Sequence, residues 1–396
     1  MSSPVRLAFV LPHFRPGGAE LAVLNWCRSL DRERFSPVLI LKQRTGAFLD
    51  RLPADVDVHD LGGGRALTLA FGLRALLRSL RIDCAYSATN AMNLALAAAC
   101  PREICAILSE HTSPRAYLAE AKWPLPRRAA MRMLYPRAGA LFVPTGDIAG
   151  ELREIAPRAP HAVVVPNPVI DEGAIGPVSP LRTPADGGPL RLVAAGRLVR
   201  AKAFERLIEA CAMIGSQGLD FRCDIYGEGP LRPELEAQIE GAGLRDRVSL
   251  RGHSDDLPNA IRKADIFVLA SRREGFGNVV VEALAVGTPV IATDTPGPAA
   301  LIGGSGAGRL VPAEDAAALA EAIVRLWHDS AARSAMREAG IPVAQNYTIQ
   351  RSVTAFEGAF RDLWLSQFST SCARHMAQNP SVSTPRPAES SNGHRL

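Results

Sequence analysis

The stretch ADIFVLASRREGFGNVVVEALAVGTPVIAT, residues 264–293, decides how the rest of the chain is read. Its apolar run Ile266-Phe267-Val268-Leu269 has the length and composition of a buried strand. A polar loop with two glycines follows at 272–278. Residues 279–286 read as a packed helix, and Gly287-Thr288-Pro289 leads into a second strand at 290–292. Strand, loop, helix, turn and strand form one βαβ unit. Two carboxylates sit in it, Glu274 in the loop and Glu282 in the helix, with seven residues between them.

The same alternation extends outward in both directions. Toward the N-terminus, strands are expected at 7–11, 38–41, 56–61, 84–87, 104–108, 140–143 and 162–165. Helices between them are expected at 20–30, 68–80, 93–100 and 147–155, with a basic helical region running to Pro136. Periodicity stops at 171–189, a Gly-, Pro- and Ser-rich linker, and a second series starts at Leu190. Near the end, Val353, Phe356, Phe360, Leu363 and Trp364 recur at helical spacing, which predicts an amphipathic packed helix. Residues 371–396 are rich in Ser, Pro and Asn and are expected to be disordered. The reading is an α/β protein with two Rossmann-like doubly wound domains. The division is 1–170, linker 171–189, second domain 190–347, returning helix 348–370, and tail 371–396.

Composition narrows the class. The chain has 396 residues, 47% apolar and 21% charged, with net charge +5. No apolar run reaches the roughly 18–20 residues of a membrane span. The run at 7–11 is too short for the core of a signal peptide and is followed at once by polar residues. Seven cysteines show no CxxC or zinc spacing and read as thiols of a reducing cytoplasm, so a cytoplasmic protein is expected. Nucleic-acid-binding folds and stacking motifs are absent, which argues against nucleic acid as a partner.

In an open parallel sheet, loops at the carboxyl ends of strands converge on the ligand crevice. Four loops of the second half fall there: 196–202, 227–230, 252–255 and 272–278. The first carries Arg197 and Lys202. Alone they read as a solvated surface pair; beside the other loops they suit a diphosphate. Glu282 can accept hydrogen bonds from a vicinal diol such as a ribose, or its place can reflect the helix dipole. Glu274 can address a sugar ring, and Gly275 and Gly277 leave backbone amides of 276–279 free for sugar hydroxyls. A glycosidase would need its two carboxylates on opposite sides of the scissile bond, whereas these lie on one side of one unit. In the first half, Gly17-Gly18 at the first strand–helix bend is not GxGxxG, so a nicotinamide site is disfavoured. It serves either close approach to an anion or a plain turn. His111 ends a strand after Ser109-Glu110 and is either structural or ligand-facing. The segment 122–137 combines Lys122, Arg127, Arg128 and Arg132 with Trp123, Leu125, Met131, Met133, Leu134 and Tyr135. That mixture suits an anionic membrane surface or a lipid-linked diphosphate, or else an ordinary helix with a basic outer face.

Taken in order, GGAE (17–20), SEH (109–111), VPNPV (165–169), AAGRLVRAKAFERLIEA (194–210), IYGEGPL (225–231), SLRGH (249–253) and SRREGFGNVVVEALAVGTPVIAT (271–293) resemble the family 4 glycosyltransferases over residues 5–327. The resemblance implies a GT-B fold, with two Rossmann-like domains facing across a cleft. It implies transfer of a hexose or N-acetylhexosamine from a nucleotide-sugar donor with retention, and no metal or other cofactor. By position, Arg197 and Lys202 would hold the diphosphate, and Glu282 the ribose. Glu274 with Phe276, Gly277 and Asn278 would orient the donor sugar. Gly17 and Gly18 would close on the phosphates, and His111 would approach the reacting carbon. A UDP-sugar is preferred over GDP-mannose. The acceptor class is a cell-surface glycan or lipid-linked saccharide, as in polysaccharide or lipopolysaccharide assembly, with peripheral attachment to the inner face of the membrane. Two departures stand out: Ala300 where the family often has a glutamate, and Thr145 where it often has serine. A nucleotide-sugar 2-epimerase and a non-catalytic sugar-nucleotide-binding protein are the competing readings.

Overall fold

The computed structural model describes residues 3–63, 66–176, 180–254 and 256–378. Seven parallel strands form the first sheet: β1 (Val5–Leu11), β2 (Phe35–Leu41), β3 (Asp57–Asp60), β4 (Cys84–Ser87), β5 (Cys105–Ser109), β6 (Ala140–Val143) and β7 (Ala162–Val164). Their order is β3-β2-β1-β4-β5-β6-β7. Six parallel strands form the second: β8 (Leu190–Ala195), β9 (Phe221–Tyr226), β10 (Val248–Gly252), β11 (Ile266–Leu269), β12 (Val290–Thr293) and β13 (Gly308–Val311), in the order β10-β9-β8-β11-β12-β13. Each sheet is doubly wound, as the alternation predicts. Strand order reverses between β1 and β4 and again between β8 and β11. These switch points are where a crevice opens at the carboxyl edge of such a sheet.

Helices cover both faces. In the first half they are α1 (Gly18–Ser29), α2 (Ala66–Ser79), α3 (Asn90–Ala99), α4 (Pro114–Glu120), α5 (Pro124–Leu134) and α6 (Gly146–Ile155). In the second half they are α7 (Phe204–Ser216), α8 (Arg232–Gly241), α9 (Leu257–Arg262), α10 (Asn278–Ala285), α11 (Pro296–Ile302), α12 (Ala316–His328) and α13 (Ser330–Gln345), and the chain continues into α14 (Ile349–Gln378). Strand periodicity decides which residues meet which layer. Leu190, Leu192 and Ala194 face α7 and α12, whereas Val193 and Ala195 face α10 and α13.

Three expectations need correction. Residues 371–378 belong to α14 rather than to a disordered tail; residues 379–396 lie outside the described residues. α11 had no sequence signal, because Gly297 and two prolines disguise a seven-residue helix. The linker holds two short 3-10 turns, Glu172–Ala174 and Pro184–Asp186, while 177–179 lie outside the described residues.

α14 returns to the first half. Val353, Phe356 and Phe360 are buried with Phe9, Trp26 and Phe35, and the Trp26 and Phe356 rings stand 5.1 Å apart. The two crossovers between halves run side by side. Ile349 N donates to Ile170 O at 2.8 Å, and Asn25 Nδ2 donates to Pro168 O at 2.8 Å. Trp26 Nε1 donates to Ser352 Oγ at 3.2 Å. Both connections are therefore pinned to α1, the helix that begins at Gly17-Gly18.

Candidate functional site

On the second half, the loop after β8 turns sharply. Gly196 has φ +155°, and a β-carbon there would sit 3.3 Å from the Lys202 stem, so its absence lets that side chain fold back over the strand end. Ala203 holds φ +49°, a left-handed turn uncommon for an L-residue, directly between Lys202 and α7. Lys202 Nζ is paired with Glu274 Oε2, and Ser271 Oγ lies 3.4 Å from the same oxygen. Cation and carboxylate thus come from the two strands that flank the switch point. Arg197 is exposed, and its side chain has no hydrogen bond or ion pair among the described residues. Its charge nonetheless reaches His13 and Glu20 of the first half.

The loop after β11 leads into α10. Gly277 caps that helix at φ +92°, and Phe276 is buried against Tyr347, their rings 5.1 Å apart. Of the first-turn amides, Val280 N donates back to Gly277 O at 2.8 Å, whereas those of Asn278 and Val279 have no intrahelical acceptor. Glu282 is the fifth residue of α10, past the first turn, so the helix dipole does not account for its placement. Its carboxyl has no hydrogen-bond partner or cation among the described residues. Burial pushes its pKa up to about 7. A half-buried carboxyl without a protein partner is available to a ligand that brings hydroxyls. Ala300 is exposed on α11.

The first half presents a different picture. Gly17 is extended and caps α1. A β-carbon there would lie 2.3 Å from Glu20 Oε2, so this carboxylate folds back over the Gly17 bend. The position expected to approach a phosphate is thus occupied by the chain's own acid. Burial raises the Glu20 pKa, while its backbone hydrogen bond and Arg197 oppose that shift. His13 Nδ1 stands 3.5 Å from Glu20 Oε1, and burial, Arg15 and Arg197 lower the His13 pKa. Gly18 lies across from Asn278, whose Nδ2 approaches Gly18 O at 3.5 Å.

His111 sits where the two halves touch. A β-carbon on Gly275 would fall 2.5 Å from His111 O, so only glycine admits this backbone contact. Its ring faces inward: Nε2 is 3.2 Å from the Tyr86 hydroxyl, and the ring centroid is 6.4 Å from that of Trp26. Nδ1 is buried without a hydrogen-bond partner. Burial lowers the His111 pKa to about 4, with Asn167 opposing, so the imidazole is neutral near pH 7. Asn167 donates through Nδ2 to Asn278 Oδ1 at 3.2 Å, and its own Oδ1 is buried without a partner. Glu110 is buried and held at Oε1 by Tyr135 Oη, by Asn90 Nδ2 at 3.0 Å and by Asn93 Nδ2 at 3.1 Å. Burial raises its pKa despite those donors.

The structure thus brings Gly18, His111, Lys202, Glu274 and Asn278 into one interdomain crevice, with Arg197 at its rim opposite Gly17. Sequence reasoning gave no role to His13, Glu20, Tyr86, Glu110 or Asn167. Glu20, Glu110 and Asn167 lay inside quoted motifs, which was the available signal. The basic segment lies elsewhere, on α5. There Trp123, Leu125 and Met133 are 63%, 76% and 70% exposed, beside exposed Lys122, Arg128 and Arg132. Arg127 is stacked 5.2 Å over the Tyr117 ring. Met131 and Tyr135, read as part of the same mixed segment, are buried and anchor α5 to the core, the core face of the ordinary-helix reading. No helix among the described residues is long and apolar enough to cross a membrane.

Comparison with known proteins supplies the context for this geometry. The family model described as Glycosyltransferase Family 4 matches residues 16–172, and that described as Glycosyl transferases group 1 matches 182–342. The chain is 34% identical over 173 residues to the alpha-D-kanosaminyltransferase of Streptomyces kanamyceticus, covering 43% of this chain and 45% of that protein. It is 34% identical over 160 residues to the lipopolysaccharide core biosynthesis glycosyltransferase LpsE of Rhizobium meliloti, covering 40% and 45%. The chain therefore spans about half the length of these curated relatives. Among solved structures, Anabaena HepE in complex with UDP superimposes with a TM-score of 0.76 at 20% identity, over 90% of this chain and 100% of that one.

Proposed function

Because the chain belongs to the family 4 glycosyltransferases and has their GT-B fold, we propose that it transfers a hexose or N-acetylhexosamine, with retention, from a nucleoside diphosphate sugar to a glycan or lipid-linked saccharide. The observation that carries this reading is the Lys202–Glu274 pair at the β8/β11 switch point, with unpaired Arg197 beside it and unpaired Glu282 beyond. A donor diphosphate entering the crevice takes its charge compensation from Arg197 and Lys202. Glu274, released from exclusive pairing with Lys202, accepts from a sugar hydroxyl, and Glu282 accepts from the ribose. The bond from the anomeric carbon to the phosphate oxygen breaks as the bond to the acceptor oxygen forms on the same face. The acceptor proton passes to the departing phosphate. No covalent enzyme intermediate is required, so the protein's contribution is orientation and electrostatic stabilisation. The HepE complex with UDP supports a uridine donor over GDP-mannose.

Radiolabelled UDP-sugars and GDP-sugars, each incubated with the chain and with an extract of lipid-linked saccharides, test the reading. Transfer or slow donor hydrolysis with a UDP-sugar, undiminished by EDTA, is expected. An epimerised donor, or binding without turnover for every donor tried, would sink it. The apolar and cationic outer face of α5 supports peripheral attachment to an anionic membrane. Sedimentation with phosphatidylglycerol vesicles should be lost in the Arg128→Glu/Arg132→Glu variant.

A further inference from the structure

A second cationic feature lies at the opposite end of the strands from the donor crevice. Pairing sets Arg191 of β8 directly beside Arg222 of β9. The β9–β10 register, with Val248 opposite Cys223 and Cys223 N donating to Arg247 O at 2.7 Å, carries the row on to Arg247. Arg191 and Arg222 therefore stand abreast on neighbouring strands, about 4.8 Å apart, and Arg247, just ahead of β10, continues the register. Arg191 and Arg222 lie on the face away from α7 and α8, since Leu190, Leu192, Phe221, Cys223 and Val248 fill the core beneath those helices. Like charges directly opposite one another on adjacent strands destabilise a sheet. Asp265 feels the Arg191 charge and accepts from Arg191 N at 2.8 Å, but its carboxylate is already paired with Arg182 at 2.9 Å. The one carboxylate lining the groove, Asp224, accepts from Arg251 Nε at 2.7 Å.

The groove encloses about 340 Å³ and has Ser249 on its wall. Arg222 is held in place by donating to Asp246 O, whereas the Arg247 guanidinium turns toward α7, 5.6 Å over the Phe221 ring and beside Gly215, so that only its stem borders the groove. Arg191 has no side-chain hydrogen bond or ion pair among the described residues. β8 has six residues, which separates this end from the Arg197 loop by about 20 Å. None of the exposed large apolar residues lies in the groove, so a bilayer would find no anchor here.

We propose that this groove is a second anion site, taking a small soluble phosphoryl compound of the diphosphate class. Arg191 and Arg222, at strand spacing, match two linked phosphoryl groups, each met by planar donors. The site is independent of the donor crevice and does not rest on the proposed transfer activity.

Calorimetric titration of the full chain with inorganic pyrophosphate provides the test. Wild type is expected to bind at two sites. Arg191→Ser/Arg222→Ser should bind at one, and its unliganded melting temperature should equal or exceed that of wild type, because the aligned repulsion is gone. Arg197→Ala/Lys202→Ala should also bind at one. If that variant instead matches wild type, the donor-site reading fails while the groove still stands. Should the double serine variant not fold, Arg191→Gln removes a side chain that holds nothing in place. It is expected to weaken the groove site by about tenfold. Unchanged stoichiometry and affinity in the groove variants would overturn the proposal. So would vesicle binding that these variants abolish in a protein that ignores pyrophosphate, since the occupant would then be a lipid surface.

Discussion

The two lips of the crevice carry similar residue types in opposite states. On the second half, Arg197 and Glu282 are unpaired, and the Lys202–Glu274 pair is partly exposed. On the first half, Glu20 folds over Gly17, Glu110 takes three hydrogen bonds, and His111 faces Tyr86. One lip keeps its polar groups available, and the other spends them on its own architecture. A motif residue can therefore be functional because it meets the ligand or because it fixes the surface that does, and spacing alone does not separate the two. The sharpest way to break this contrast is Lys202→Ala. It should lower transfer by about 10²–10³-fold, the usual cost of losing one preorganised electrostatic group. Its melting temperature should stay within several degrees of wild type: the pair is largely buried, but Glu274 lies at the crevice and keeps Ser271 Oγ at 3.4 Å as a neighbour when Lys202 is gone. Donor turnover assays and a melting curve check both halves of that statement. An active or unfolded variant would contradict it.

Tyr135→Phe probes the first lip from the other direction. It removes one of three donors to a buried carboxylate and should cost about 1–3 kcal/mol in stability. Transfer activity per folded molecule should hold within a few-fold. Denaturant unfolding alongside kcat and KM measures it. A collapse of kcat with unchanged stability would move Glu110 from the scaffold to the chemistry.

Glu282→Gln should show both effects at once, with a sign that depends on pH. The folded-state pKa of Glu282 is about 7, raised by burial above the usual carboxylate value. Between about 4.5 and 7 the folded form holds a proton that the unfolded chain has released. Stability contributed by this group therefore falls as pH rises through that window. The glutamine variant should melt a few degrees higher at pH 8, an effect of about 1–2 kcal/mol after allowing for partial solvation. The gain should vanish toward pH 4.5. Donor KM should rise by about tenfold through loss of a charged acceptor. His111 runs the other way. Its pKa, lowered by burial to about 4, makes stability fall as pH drops from 6.5 toward 4. A glutamine variant that melts below wild type at pH 8 would show that the carboxylate has a partner in the free protein.

The fold was legible because both sheets are built from short apolar runs alternating with amphipathic helices, a pattern that local sequence carries for every strand and for most helices, α11 excepted. The second lip was legible for a related reason. Its loops sit at fixed offsets from those strands, so Arg197, Lys202 and Glu274 could be placed at one sheet edge by counting. The first lip was not, because what decides it is side-chain direction. Nothing in SEH says that the His111 ring turns toward Tyr86, 25 positions away in sequence. Nor does GGAE say that Glu20 closes over Gly17. Arg333 was invisible for the same reason. It is fully buried, donating to carbonyls of Leu326, Trp327 and Arg182, and its last partner is 151 positions distant. α14 was placed by its aromatic spacing as far as Trp364. Beyond that, the polar composition of 371–378 concealed further helical turns.

Asn278 belongs to both lips, and changing it should have the smallest effect. Its side chain accepts from Asn167 at 3.2 Å and approaches Gly18 O at 3.5 Å, the latter at the outer limit of a useful hydrogen bond. Asn278→Ala should cost less than about 1 kcal/mol, since one contact is long and water can replace both. It also deprives the Asn167 amide, whose Oδ1 already lacks a partner, of its bond to Asn278, so the first half should loosen locally at 165–168. Donor KM should rise by about twofold, because the proposed diphosphate ligands Arg197 and Lys202 both lie on the second half and only the approach of the other lip is affected. kcat should be nearly unchanged, since no reacting atom depends on this amide. Steady-state kinetics with a saturating acceptor separates these outcomes. If kcat falls with KM, the Asn278 side chain contacts the transferred sugar itself, and the division between a lip that binds and a lip that braces ends at this residue.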